Sequence, residues 1–131
     1  MTGELGRAEL ESAVRGYLEA LDRLDVDLTL EYFAPTAGFV IQSDHTAHDG
    51  VDAVGEMWRH VFSAHSTMRH EITNLIVDDE SQCVVTEQKF TGWLQGGGVM
   101  ERYSIYVFEF DESGRFRRVA VWIDGETPGG R

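Results

Sequence analysis

The sequence predicts an α+β fold, with helices packed on one side of a mainly antiparallel sheet. Three observations carry that prediction. The apolar period is helical in the first half and strand-like from residue 69 onward. The later strands follow one another with no helix between them. Their connectors are also too short for anything but antiparallel neighbours.

Taken in order, Leu10, Val14, Tyr17, Leu18, Leu21 and Leu24 recur at helical spacing and form one apolar stripe. Arg7, Glu11, Arg15, Glu19 and Arg23 fall on the opposite side with i,i+4 pairs of opposite sign. Asp25 or Asp27 can cap a short second helix, Leu28 to Phe33, which Pro35 ends. Gly38 to Gln42 reads as a short strand and Ser43 to Gly50 as a polar loop. Val54, Met57, Trp58, Val61 and Phe62 restore the helical period over Val51 to Ala64. Strands follow at Arg69–Val77, Gln82–Leu94, Glu101–Phe110 and Arg115–Ile123. Turn-like Asp-Asp-Glu-Ser, Gly-Gly-Gly and Asp-Glu-Ser-Gly segments separate them. Tyr103 to Phe110 is apolar on nearly both faces, as a covered central strand would be. A curved sheet with three helices against its concave side would close into a cone with an apolar interior.

Composition sets the boundaries of function. A chain of 131 residues suits one domain, 1–131, with a core at about 9–124 and a flexible Gly-rich tail at 125–131. Its 23 acidic and 11 basic residues give a net charge of −12, and Lys89 is the sole lysine. Such a surface repels nucleic-acid phosphates and anionic lipid, so neither partner is expected. The unpaired Cys83 fits a reducing cytoplasm. No apolar run reaches the ~20 residues of a membrane span, and the N-terminus lacks the blocks of a signal peptide. The expectation is a cytoplasmic domain acting on something small.

The element order, with Leu-Asp-x-x-Asp at residues 21–25 and Phe-Ala-Pro-Thr-Ala-Gly at 33–38, resembles the nuclear-transport-factor-2 (NTF2) superfold. Within it the chain is most similar to the SnoaL-like group. The likeness covers roughly Glu9 to Asp124 and implies a cone-shaped, cystatin-like α+β fold with three N-terminal helices. Members include scytalone dehydratase, lindane dehydrochlorinase, ketosteroid isomerase, limonene epoxide hydrolase and polyketide cyclases, and others without known activity. A fold shared this widely leaves the reaction to the site.

The sharpest site candidate is His70. On a strand it shares a face with Ile72, Asn74 and Ile76, and so points inward. An inward histidine can act as a general base when a carboxylate holds its other nitrogen. The resemblance supplies the partner: dehydratase and dehydrochlorinase members pair this histidine with an aspartate late in the first helix, here Asp22. On the helical wheel Asp22 lies at the edge of the apolar stripe, which permits that role without demanding it. The alternative is a solvated helix-end carboxylate and a hydrogen-bonded core histidine.

Departures narrow the resemblance. No histidine follows residue 70, where scytalone-dehydratase-like enzymes place a second one. Ile41 and Gln42 stand where ketosteroid-isomerase-like enzymes carry a base, and Gln88 and Phe90 where epoxide-hydrolase-like enzymes carry Arg and Asp. Tyr17, Tyr32, Trp58, Trp93, Tyr103, Tyr106 and Trp122 are the candidate pocket residues, Tyr17 and Tyr106 the preferred donors to a substrate oxygen. His45 and His48, with Asp44 or Asp49, offer metal-ligand chemistry, but the spacing is not that of a helical zinc motif. No metal and no cofactor are assigned. His60 and His65 read as exposed or interfacial, and Cys83 as no nucleophile. The resemblance thus implies Asp22–His70 proton abstraction driving dehydration, isomerisation or cyclisation of a small hydrophobic carbonyl, polyketide or aromatic metabolite. The rival is a non-catalytic ligand-binding or dimerisation module. Either implies a homodimer through the sheet, whose outward residues are read as Val107, Val119 and Val121.

Overall fold

The computed structural model describes residues 4–124; the expected tail at 125–131 lies outside them. Three helices, α1 (Arg7–Asp22), α2 (Val26–Leu30) and α3 (Val51–Ser63), accompany six strands. The strands are β1 (Phe33–Ile41), β2 (Thr46–Asp49), β3 (His65–Asp78), β4 (Cys83–Leu94), β5 (Val99–Phe110) and β6 (Phe116–Ile123). They form one sheet in the order β2-β1-β6-β5-β4-β3, antiparallel throughout except for the parallel pair β1–β6. This is the α+β arrangement that the periodicity predicts.

The first helix follows its stripe closely. Leu10, Val14, Tyr17, Leu18 and Leu21 are buried, each aliphatic one worth ~1.5–3 kcal/mol of apolar burial. Leu24 falls beyond the helix because the chain turns there. The Asp25 N–H donates to the Ala20 carbonyl and the Leu24 N–H to the Leu21 carbonyl, a Schellman closure. Leu24 holds the left-handed position with φ 56°, where glycine is usual. Asp25 then caps α2, its carboxylate accepting the Leu28 N–H at 3.0 Å.

Several sequence expectations change. The second helix is Val26–Leu30 rather than Leu28 to Phe33, and the first strand begins at Phe33 rather than Gly38, so Pro35 lies within β1. The segment Ser43 to Gly50 is not all loop: Thr46–Asp49 pairs antiparallel with β1, Phe39 opposite His48. A polar edge strand carries too little apolar pattern to announce itself. The third strand starts at His65 rather than Arg69, and it bulges between Ile72 and Asn74. That bulge inserts one residue and reverses the alternation. His70 and Ile72 therefore share the inner face with Leu75 and Val77, while Asn74 and Ile76 are exposed.

Register fixes which residues face the helices. On β4 and β5 the inner positions are Val84, Thr86, Gln88 and Phe90 opposite Phe108, Tyr106, Ser104 and Arg102. Val119 and Val121 pair with Phe108 and Tyr106 and are buried, so they face inward rather than outward. The outer face is carried instead by Tyr103, Ile105 and Trp122, all exposed, with Val107 half-buried. The fifth strand is central but has one open face. The narrow end of the cone is a solid aromatic cluster, with Tyr17 set edge-on to Tyr32, Phe33, Phe108 and Phe116.

Candidate functional site

The wide end of the cone stays open. A cavity of about 520 Å³ lies between α3 and the inner sheet face, lined mainly by apolar side chains such as Phe39, Met57, Val61, Met68, Phe90 and Val121. That size admits a compact organic molecule. His70, Tyr106, Ser104, Arg102, Trp58 and His65 bring polar atoms to the same walls.

His70 reaches the cavity from β3 and is held from behind by α1. One Asp22 carboxylate oxygen accepts from the ring Nδ1–H at 2.7 Å, and the other accepts from the His70 main-chain N–H at 3.1 Å. A single carboxylate thus fixes both backbone and ring. The His70 side chain is 4% exposed and tilts against Phe90, ring centroids 5.0 Å apart. With Nδ1 engaged, Nε2 is the ring's acceptor nitrogen. Asp22 is the last residue of α1, with no basic residue in that turn. A negative charge there opposes the helix dipole, a local penalty of ~0.3–1 kcal/mol that the two His70 hydrogen bonds offset.

Tyr106 lies on the same wall. Burial, and then the Asp22 charge, push its phenol well above the ordinary value of 10, so it stays protonated and can donate. Trp58 lines the cavity from α3, edge-on to Phe39 and stacked on Phe62. Tyr17 lies beneath this wall in the aromatic core, not on the cavity surface. Burial pushes its phenol up, the nearby Tyr106 adds to this, and the Trp58 indole N–H draws it partly back. Neither the Tyr17 hydroxyl nor the Trp58 N–H completes a hydrogen bond among the described residues.

A buried polar row crosses the inner face. The Thr86 hydroxyl donates to the Gln88 amide oxygen at 2.6 Å, and the Gln88 amide nitrogen donates to the Ser104 hydroxyl at 2.9 Å. Thr86 and Gln88 are almost fully buried, and Ser104 reaches the cavity wall. Arg102 enters two positions before Ser104 and donates to the Met100 sulfur at 3.1 Å.

Several aromatic candidates are elsewhere. Trp93, Tyr103 and Trp122 occupy the outer face, since each is an odd number of strand positions from its inward neighbours; Trp93 lies under the Arg69 guanidinium at 5.9 Å. Tyr32 belongs to the narrow end, stacked on Phe116 with its hydroxyl over Gly16, where a β-carbon would not fit. Of the seven, Trp58 and Tyr106 line the cavity. His65, read as exposed or interfacial, is 6% exposed and lines it too. Its Nδ1–H donates to the Val61 carbonyl at the end of α3, and Gly92 across the strand leaves room for the ring. Burial raises the Cys83 thiol, and Glu109 and Asp78 add to it, which disfavours the thiolate. Ser104, Arg102 and Met68 escaped the sequence reading. Strand alternation from Tyr106 would have found the first two.

A second hollow of about 490 Å³ lies on the solvent side of α1, among residues such as Glu11, Arg15 and Glu19. One helix supplies its lining, so nothing converges there. Among the described residues no cluster of three or more His, Cys, Asp or Glu is placed to hold a metal, and no helix is long and apolar enough to cross a membrane.

No curated protein matches the chain in sequence. Solved structures match its fold along most of its length. A Shewanella denitrificans protein named a SnoaL-like polyketide cyclase superposes with a TM-score of 0.82 at 15% identity, over 95% of this chain and 96% of that one. BvnE pinacolase from Penicillium brevicompactum gives 0.81 at 14% identity, over 92% and 89%. An epoxide hydrolase of M. tuberculosis resembling the LEH type gives 0.76 at 19%, over 89% and 84%. At these identities the likeness establishes the fold and not the reaction. The SnoaL-like domain family itself matches residues 14–119, and the chain belongs to that family.

Proposed function

We propose that the chain is an enzyme that removes a proton from carbon, with His70 as general base and Asp22 as its orienter. One observation carries this reading: the Asp22 carboxylate grips His70 at two points and leaves Nε2 as the acceptor nitrogen of a residue on the cavity wall. In the proposed reaction Nε2 takes a proton from carbon beside a carbonyl, and Asp22 stabilises the imidazolium that results. Charge moves to the carbonyl oxygen, to which the neutral Tyr106 phenol donates. Return of the proton at another carbon is isomerisation, its delivery to a departing hydroxyl is dehydration, and attack of the enolate on a second carbonyl is cyclisation. No cofactor takes part in this scheme. The apolar lining suits a carbonyl, polyketide or aromatic metabolite. Gln88 and Phe90, at the middle of β4, offer neither carboxylate nor cation for opening an epoxide. Neighbours named as polyketide cyclase and pinacolase are compatible with carbonyl chemistry.

The test uses 2-tetralone, a bicyclic ketone with acidic protons beside its carbonyl. Catalysed exchange of those protons in D2O, followed by NMR, supports the reading if His70→Ala abolishes it in a folded protein. No exchange above buffer, or exchange that survives loss of His70, favours the rival reading of a binding module without catalysis. We propose further that a second copy covers the outer sheet face, because Tyr103, Ile105 and Trp122 stand exposed together on β5 and β6.

A further inference from the structure

Gln88 is an anomaly on the inner face of the sheet. It is 2% exposed, and its strand neighbours on that face include Thr86 and Phe90, with Val84 further along. A buried amide adds little net stability even when satisfied, and an apolar side chain of similar size serves a core as well. Its bonds, however, have a direction. The 2.6 Å contact to Thr86 is typical of O–H···O and the 2.9 Å contact to Ser104 of N–H···O. Thr86 therefore donates to the amide oxygen, which turns the amide nitrogen toward Ser104. The Ser104 oxygen is then an acceptor, and its own proton is directed elsewhere. Across β6 its partner is the aliphatic Ile123, and two positions before it stands Arg102, which can only donate. Ser104 makes no hydrogen bond as a donor among the described residues. The cavity is the side left to that proton.

We propose that Ser104 is a substrate-binding donor, aimed into the cavity by Thr86 and Gln88, and that with Tyr106 it holds a single ketone or phenol oxygen. The two residues are i and i+2 on β5, so their side chains leave the same face about 6.6 Å apart at the backbone. His70 rises from the same face two strands away, across Phe90. A ligand oxygen at the two hydroxyls thus places the adjoining carbon toward Nε2. This inference rests on the proton-abstraction reading for its chemistry, but the binding it describes stands apart from any proton transfer. Thr86 and Gln88 are positioning residues, since they act through Ser104.

The experiment compares 2-naphthol, which mimics the enol of 2-tetralone, with 2-methylnaphthalene, which has the same shape without the oxygen. Binding is followed by fluorescence titration at neutral pH. Ser104→Ala is expected to weaken 2-naphthol about 10-fold, the worth of one good hydrogen bond, and to leave 2-methylnaphthalene within two-fold. Ser104→Thr, which keeps the hydroxyl, is expected to restore most of the preference. Gln88→Leu is expected to lose about three- to ten-fold for 2-naphthol alone, since the hydroxyl is then free to turn away. A general packing defect would weaken both ligands. Equal losses for the two ligands in Ser104→Ala overturn the proposal, as does no loss at all. Wild-type protein that binds 2-naphthol no tighter than 2-methylnaphthalene overturns it too. Deuterium exchange that depends on His70 but not on Ser104, with no naphthol effect, would sink this inference and leave the base intact. A naphthol effect without exchange would do the reverse.

Discussion

Replacing Asp22 by Asn removes one charge and keeps the side-chain shape, so it isolates what the carboxylate does for His70. The carboxylate accepts from the ring Nδ1–H at 2.7 Å and from the main-chain N–H at 3.1 Å. An amide has one acceptor oxygen for those two donors. If the oxygen keeps the main-chain N–H, the amide NH2 faces Nδ1 and selects the tautomer with its proton on Nε2. The nitrogen meant to take a proton then already carries one. If the oxygen keeps Nδ1–H instead, the charge that offsets the imidazolium is missing. With charge centres ~4 Å apart and an effective dielectric near 20, that attraction is about 4 kcal/mol. Asp22 remains 27% exposed, so screening reduces it to roughly 3 kcal/mol. Either geometry predicts a fall of roughly 10²- to 10³-fold in 2-tetralone exchange, measured by NMR in D2O. Stability should drop by ~1.5–3 kcal/mol in urea denaturation, so rates must be compared where circular dichroism shows both proteins folded. An Asn variant that is folded and exchanges within three-fold of wild type would refute the dyad argument.

Other consequences are more local. Ile105 and Trp122 are cross-strand partners on the open sheet face, so Ile105→Glu should shift sedimentation to monomer; an unchanged profile would place the interface elsewhere or deny it. Burial raises the phenols of Tyr17 and Tyr106 above 10, which means that the folded state holds their protons more tightly than the unfolded chain. Their contribution is complete below pH 10 and is lost as the pH rises toward the folded values, each adding a slope of about 1.4 kcal/mol per pH unit. Tyr106→Phe should remove one such increment from the alkaline loss of stability, and an identical slope in urea titrations would count against this account. His45 holds φ 58° at the exposed turn between β1 and β2, so His45→Gly should raise stability by ~1 kcal/mol in urea denaturation and leave exchange activity untouched.

Legibility from sequence followed the strength of the periodic signal. The α1 stripe was plain because five of its apolar residues return to one face and bury there. The strands from β3 to β6 were plain because Asp-, Ser- and Gly-rich turns bracket them. Strand β2 was hidden, since Thr46-Ala47-His48-Asp49 has almost no apolar alternation and gains its place from pairing with β1. Facing was harder than existence. A strand gives two faces and no absolute phase, so the sequence offers Trp93, Tyr103 and Trp122 as pocket residues where register turns them out. The bulge after Ile72 broke the phase within a single strand, which is why Asn74 and Ile76 no longer share the face of His70. Helix phase carries no such ambiguity, and the position of Asp22 at the edge of the α1 stripe is the position from which it reaches His70.

Local irregularities accumulate around one cavity. Asp22 ends a helix with the charge that the helix dipole disfavours. Two residues later, Leu24 occupies a left-handed turn position that suits glycine. The strand that carries His70 bulges two residues past it, and the inner face of β4 holds Thr86 and Gln88 where Val84 continues an apolar row. Each departs from what local propensity or core packing alone would select, and each bears on His70 or Ser104. The Schellman turn ends α1 immediately after the carboxylate that grips His70. The bulge lets His70 and the inward Leu75 and Val77 share a face across unequal numbers of residues. The amide of Gln88 gives a serine hydroxyl a direction that an apolar neighbour could not. Sequences that fold well agree with themselves at every level, so exceptions converging on one place mark where stability has yielded to another requirement. The aromatic end has irregularities of its own, Gln82 at φ 55° and register shifts beside Phe33 and Phe110, but none of these residues lines the cavity. That contrast separates the end that builds the fold from the end that we assign to chemistry.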